Sequence, residues 1–324
     1  MMEPMTPLPT TTQEGSAPPG GYGSAAYLAS LGHIGTPLAL PGSGGFLLRR
    51  GIPSTSSWDA AGPYPLFTCT NWPALADDFA HLNEELVSVA AVIDPLAGAS
   101  REQLQSAFPD LLIPFKRHYV VDLTDDFVAT RSTHHKREVR RALKQVSVQR
   151  AENPADFEGE WCALYEGLIQ GMGASGALAD FTSEGLARQL SLAGMTYFRA
   201  MRGDECVGAC LFLQHGSRTH YHLSASNADG RKVQASYALL DAAILHAAEI
   251  GCELACLGGA ASLMDDEQGG LARFKKGWST DSVVAHLGGR VLDRERYQSL
   301  TGQRSETRFF PAYRAPQSAP RESS

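Results

Sequence analysis

The chain has 324 residues, 43% hydrophobic and 19% charged, a globular composition long enough for two domains. Its net charge of −7 excludes an overall basic coat for nucleic acid, though not a local basic patch. Six cysteines are too scattered for a disulfide scaffold, no apolar run approaches the ~20 residues of a membrane span, and the N-terminus lacks the basic start and apolar core of a signal peptide.

A soluble, cytoplasmic monomer with no membrane association is therefore expected. Cys206/Cys210 and Cys252/Cys256 stand four apart without zinc-finger spacing, which favours buried thiols over a metal site. No metal is expected.

Residues 1–22 and 315–324 are rich in Pro, Ser and Gly or Thr and read as disordered tails. Thr36–Leu40 and Gly45–Arg49 flank Pro41-Gly42-Ser43-Gly44, a hairpin signal. Trp72–Leu86 has apolar residues at helical spacing, and Leu86–Ile93 reads as a strand ending at Asp94-Pro95. Ser100–Phe108 reads as a capped helix and His118–Leu123 as a strand, with Thr124 and Asp126 as caps for a helix towards Arg131.

From Arg131 to Arg150 there are seven Lys or Arg residues against one Glu. Val139, Leu143 and Val146 give this helix an apolar stripe, which leaves Lys136, Arg137, Arg140, Arg141 and Lys144 on the wet face. Such a face is either simply solvated or suited to an RNA backbone. Two further helices are predicted, Phe157–Met172 and, with Thr182 as cap, Ser183–Leu192. Strands at Thr196–Arg202, Cys206–Gln214 and Thr219–Ser226, a helix over Val233–Ile250 and a strand over Cys252–Leu257 follow. Helix, helix, three antiparallel strands, helix, strand is the order of a GNAT acyltransferase core, in which splayed central strands form the acyl cleft.

After that core, Leu257-Gly258-Gly259 and Arg273-Phe274-Lys275-Lys276 read as a strand end, a glycine turn and a short basic helix. With the elements before them, they complete a resemblance to the Fem-type aminoacyltransferases. The other residues that carry it are Asp59 with Pro63-Tyr64-Pro65, Ser132-Thr133-His134-His135-Lys136-Arg137, Tyr221-His222-Leu223-Ser224-Ala225-Ser226-Asn227, and Phe309-Phe310-Pro311-Ala312-Tyr313-Arg314. Together they span roughly residues 25–314.

The resemblance implies an α/β (α+β) fold of two tandem GNAT-like domains, each a mixed, mostly antiparallel sheet flanked by helices. The first would run over 23–140, completed by 291–314 returning as a strand, and the second over 141–290. It implies amide formation, with a small amino acid such as Ala, Gly or Ser moved from aminoacyl-tRNA to an amine. Aminoacyl-tRNA would be co-substrate, with no further cofactor. Substrate-binding positions implied by the matching motifs are Asp59, Tyr64, Tyr221, Ser224, Asn227, Gly258 and Gly259.

An aminoacyl ester is already activated, so such an enzyme mainly positions an amine and stabilises an oxyanion. Lys275 is the expected cation facing the oxyanion or the tRNA 3′ end, with Phe274 as the wall beside it. Lys276 is the alternative, because adjacent helical lysines point differently. No general base is assigned; Asp265 and Asp266 are the acidic candidates nearby. The segment Asn227–Ser236 lacks the glycines of a coenzyme A pyrophosphate loop, leaving Arg231 and Lys232 as phosphate contacts for tRNA.

Between Ala151 and Ala187 there is no Lys or Arg, and Val92-Ile93-Asp94-Pro95 lacks a basic residue before its proline. Both features argue against a UDP-muramyl peptide and for a peptide or peptidyl small-molecule acceptor of lower charge, such as an antibiotic intermediate. The competing readings are a GNAT N-acyltransferase using acyl-CoA or a carrier-bound acyl group, and a non-catalytic module that binds RNA or peptide.

Overall fold

A computed structural model of the protein describes residues 20–172, 180–259, 269–302 and 309–315. In chain order the elements of the first half are α1 (Ala25–Ser30), β1 (Thr36–Leu40), β2 (Gly45–Gly51), β3 (Trp58–Ala61), α2 (Leu75–Ala80), β4 (Ser88–Val92), α3 (Arg101–Ala107), β5 (Leu111–Asp122), α4 (Phe127–Thr130) and α5 (Thr133–Ala142). They are followed by β6 (Ser147–Arg150), α6 (Glu158–Met172), α7 (Ser183–Leu190), β7 (Met195–Arg202), β8 (Glu205–His215), β9 (Arg218–Ser226), α8 (Ala228–Lys232), α9 (Ala235–Glu249), β10 (Leu254–Gly259), α10 (Gly270–Lys276), β11 (Asp281–Val291) and α11 (Arg294–Thr301).

Local chemistry sets many of these boundaries. The β1–β2 turn closes through Gly44 at φ +68°, and Asp78 on α2 accepts the N–H groups of Gly42 and Ser43 at 2.9 and 2.7 Å. Ser100 and Gln103 form a reciprocal capping box that starts α3. Asp126, Ser132 and Thr182 cap α4, α5 and α7. The helix predicted over Trp72–Leu86 stops at Ala80, and residues 81–85 turn so that Leu86 reaches the core. The long helix predicted over Val233–Ile250 is α9 and begins at Ala235, because the left-handed backbone of Gln234 separates it from α8. Leu143, predicted on the apolar stripe of α5, is half exposed just beyond the helix end.

The eleven strands of the described residues form one sheet in the order β1-β2-β3-β4-β11-β5-β10-β9-β8-β7-β6. All neighbours are antiparallel except β3/β4 and β9/β10. The architecture is therefore mixed α/β, a large mostly antiparallel sheet flanked by helices. One side of the β5–β10 region packs against α9 and α5 through Val121, Ala142, Leu239, Ala255 and Trp278. Over β7–β9 the opposite side is covered from α1, α6 and α7 through Tyr27, Leu28, Trp161 and Leu186. A separate cluster around Phe67, Phe79 and Phe108 fills the first half.

The centre of the sheet holds the strand latest in the chain. β11 lies between β4 and β5 and pairs with both. After it, Phe309–Arg314 returns to the first half, but Ala312–Arg314 is a 3-10 turn rather than the strand the sequence suggested. Side chains hold it there. Tyr313 bonds Ser88 at 2.8 Å, and Arg314 donates to the fully buried Asp59 at 2.5 and 2.9 Å.

Candidate active site

β9 and β10 pair only over Arg218–His220 and Leu254–Cys256. Beyond that point β9 stays with β8 as far as Ser226, while β10 stays with β5 as far as Gly259. Each strand carries a bulge at the fork: His222 is the extra residue on β9 and Leu257 on β10. Bulges bend a strand and re-aim its side chains, and here they open the sheet. The resulting slot is a cavity of about 320 Å³.

From the α9 side, Lys275 reaches its floor. The side chain is buried, donates to the carbonyl of Gly259 at 2.7 Å and stands 5.9 Å from the centre of the Tyr221 ring. Gly258, at φ +74°, gives β10 the left-handed turn required here. A Cβ at Gly258 would stand 3.4 Å from the Lys275 ammonium. Tyr221 donates to the Ser224 hydroxyl at 2.5 Å, which fixes its ring.

The other side is a wall of imidazole and phenol. His222 is bonded through Nε2 to Gln189 Oε1 at 3.0 Å and through Nδ1 to Tyr22 at 3.2 Å. With the amide oxygen as acceptor, Nε2 carries the proton and Tyr22 donates to Nδ1. Burial pushes His222 down to about 3. His118 is also held near 3, by burial first and then by Lys275, His220 and Lys116. His220 is lowered by burial against the opposing pull of Asp94, 4.0 Å away. Three imidazoles thus stay neutral around a buried ammonium. Tyr64, whose carbonyl accepts from Tyr27 at 2.5 Å, closes one end together with Phe115 and Lys116.

Several residues implied by the sequence meet here: Lys275, Tyr221, Tyr64, Gly258 and Gly259 line the slot, and Ser224 touches it through Tyr221. Lys276 is exposed while Lys275 is buried, which resolves the choice between the two in favour of Lys275 as the slot residue. Phe274 is not the wall beside it. Its ring packs 5.0 Å from Tyr237 and among His135 and Trp278, against the core beneath α5 and α9. Tyr221 takes the place expected of it.

Asn227 lies away from the slot, where it accepts from the N–H of Gly230 at 2.8 Å to cap α8 and donates to Glu205 at 3.1 Å. Asp59 is equally distant in role. Its carboxylate accepts from Arg50, Tyr313 and Arg314 with no exposed surface, so it clamps the chain end and has no face for a substrate. Arg231 donates to the carbonyl of Ser226 at 2.6 Å and Lys232 to Asp229 at 2.9 Å, both on the surface. On α5, Lys136 donates to the carbonyl of Ala129 and Arg137 to the buried Glu138, which also lies 3.8 Å from Arg141; Arg140 and Lys144 are exposed. Asp265 and Asp266 lie outside the described residues.

Sequence reading missed Tyr22, Phe115, Lys116, His118, His220 and His222. His220 and His222 bracket Tyr221 on one strand, and that alternation was a usable signal. Tyr22 and His118 reach the slot from distant parts of the chain, with no local pattern to mark them. Among the described residues no group of His, Cys, Asp and Glu has metal-holding geometry.

Comparisons with known proteins place the fold. Residues 129–276, just under half of the chain, match the family model described as an acetyltransferase (GNAT) domain. No curated protein matches the chain in sequence. Among solved structures, FemX aligns at a TM-score of 0.57 and 12% identity, covering 78% of this chain and 86% of its own. L-PGS from Bacillus licheniformis aligns at 0.57 and 15%, over 84% of this chain and 88% of its own. The C-terminal domain of a putative lysylphosphatidylglycerol synthetase from Agrobacterium fabrum gives 0.56 and 15% over the same shares. At these identities what is shared is the fold. The chain thus holds a GNAT-type domain over 129–276 within an overall fold like that of FemX and L-PGS.

Proposed function

We propose that the protein is an aminoacyltransferase that moves an amino acid from aminoacyl-tRNA to the amine of a peptide-like acceptor. The observation that carries this reading is the through-sheet slot with the buried Lys275 against Tyr221 on one side and neutral His and Tyr side chains on the other. A tetrahedral oxyanion formed there would meet a fixed cation at low dielectric, where such a contact acts most strongly. The exposed basic residues of α5 supply a separate surface for an RNA backbone. That the Agrobacterium neighbour is a putative lysylphosphatidylglycerol synthetase agrees with an aminoacyl donor.

In the reaction the acceptor nitrogen attacks the ester carbonyl, the C–N bond forms, and the C–O bond to the tRNA ribose breaks. The proton leaves the amine and ends on the ribose oxygen. A donor with a small side chain fits the modest slot, and a neutral peptidyl acceptor, such as an antibiotic intermediate, suits a lining that apart from Lys116 and Lys275 is tyrosine, histidine and apolar. The GNAT match over 129–276 favours a second reading, an N-acyltransferase that takes acyl-CoA or a carrier-bound acyl group. RNase treatment of the charged donor separates them: it abolishes product formation under the first reading and leaves it intact under the second.

A further inference from the structure

His118 sits on β5 opposite Gly259. The Cδ2 of its ring is 3.2 Å from where a Cβ on Gly259 would stand, and the carbonyl of the same glycine accepts from Lys275. Imidazole and ammonium are therefore held to one short piece of β10 at the slot. On the far side of the ring, Nδ1 lies 3.7 Å from Cys256 Sγ. Cys256 is buried, and burial pushes its thiol up to about 12, so it remains S–H and can donate to Nδ1. With the thiol as donor, that contact leaves the ring proton on Nε2. Among the described residues Nε2 has no hydrogen-bond partner, and the ring lines the slot.

Resting on the acyl-transfer reading above, we propose that His118 is a catalytic residue acting as a neutral hydrogen-bond donor, its Nε2–H and the Lys275 ammonium together holding the carbonyl oxygen as it becomes an oxyanion, with Cys256 as the positioning residue that fixes the tautomer. A base role is physically disfavoured: Lys275 and Lys116 both oppose a second positive charge on this ring. The same cations suit a ring that must stay neutral and donate. His118 neither gives up nor gains a proton in the step; the amine proton goes to the leaving ribose oxygen as before.

The test has two parts on the full chain. In protein labelled with 15N-histidine, the His118 signals are expected to show a neutral ring with the proton on Nε2 from pH 5 to 8. Cys256→Ser keeps that pattern, while Cys256→Val mixes the tautomers. An Nδ1–H ring or an imidazolium in the wild type overturns the proposal whatever the activity. In transfer assays His118→Leu lowers kcat on the order of 100-fold with KM little changed, as expected for one lost oxyanion donor, and His118→Gln, which keeps an N–H near the same place, recovers part of it. A wild type that transfers label while His118→Leu equals it overturns the proposal and leaves the acyltransferase reading standing. A folded wild type that transfers from neither aminoacyl-tRNA nor acyl-CoA overturns both.

Discussion

At the scale of single residues, the slot is built from groups that ordinarily titrate near neutral pH but are kept from doing so. His118 and His222 have folded pKa values near 3, well below the ~6.5 of an unfolded chain. A depressed histidine contributes its stability fully above pH 6.5. That contribution is lost progressively as pH falls from 6.5 towards 3, because the unfolded chain takes up the proton first. The melting temperature is therefore expected to fall on acidification through this window, and less steeply in His222→Gln than in the wild type. Carboxylates also titrate at the lower end, so the difference between the two curves is the quantity to measure. Identical slopes between pH 6.5 and 4.5 would show that His222 is not buried neutral. Burial is what makes that neutral form the favoured one, with His220 beside it adding to the shift, while the phenol of Tyr22 and the amide of Gln189 bond both ring nitrogens.

At the scale of elements, what could be read from the sequence was what local chemistry determines. Caps at Ser100, Asp126 and Thr182 marked helix starts, and the Pro-Gly-Ser-Gly turn marked a hairpin, because each acts within four residues of itself. β5 was read from His118 onward, yet it begins at Leu111. Pro114 and the charged Lys116-Arg117 obscured it, and the pairing register confirms an irregularity there, with Phe115 as the extra residue. β11 was missed altogether: Gly288 and Gly289 weaken its pattern, and they are required because Cβ atoms there would meet the rings of Phe108 and Phe310 at about 2.5 Å. Lys275 could be picked out in advance because a short amphipathic helix hides one of two adjacent lysines. Phe274 was misplaced because the sequence does not say which face of α10 meets His135 and Trp278.

The element with the most direct functional expectation is α5. Arg140 is exposed in its last turn, and Lys144 is exposed two residues beyond its end. If they contact RNA phosphates, Arg140→Glu/Lys144→Glu weakens tRNA binding and reduces the salt slope of log K by about 2, one for each lost phosphate contact. The effect belongs to KM for the charged tRNA, with kcat at saturation preserved. An unchanged salt slope would mark α5 as only a solvated face.

At the scale of the whole molecule, the chain end makes the sheet continuous. β11 fills the gap between β4 and β5, and the segment after it is locked to the first half by Asp59, the buried partner of Arg50 and Arg314. The aspartate that resembles a family motif thus serves architecture. Removing one partner of a buried ion cluster costs ~3–5 kcal/mol, and the arginines' remaining exposure of 22% and 24% places Asp59→Ala near the lower end. Calorimetry should show a loss of about 3 kcal/mol while KM for the acceptor stays near the wild-type value. A raised KM with unchanged stability would return Asp59 to the substrate site.

The slot, the fork that opens it and the basic helix beside it meet in a single claim, that an amino acid leaves tRNA here and is joined to an amine. The measurement is to incubate the full-length protein with a mixture of radiolabelled aminoacyl-tRNAs and a neutral peptide amine, with Lys275→Met as the control. The account expects one labelled amino acid to move into an amide that survives mild alkali, with the rate lowered on the order of 100-fold in the control. Label that stays on the RNA, while acyl-CoA is consumed with the same peptide, would contradict it.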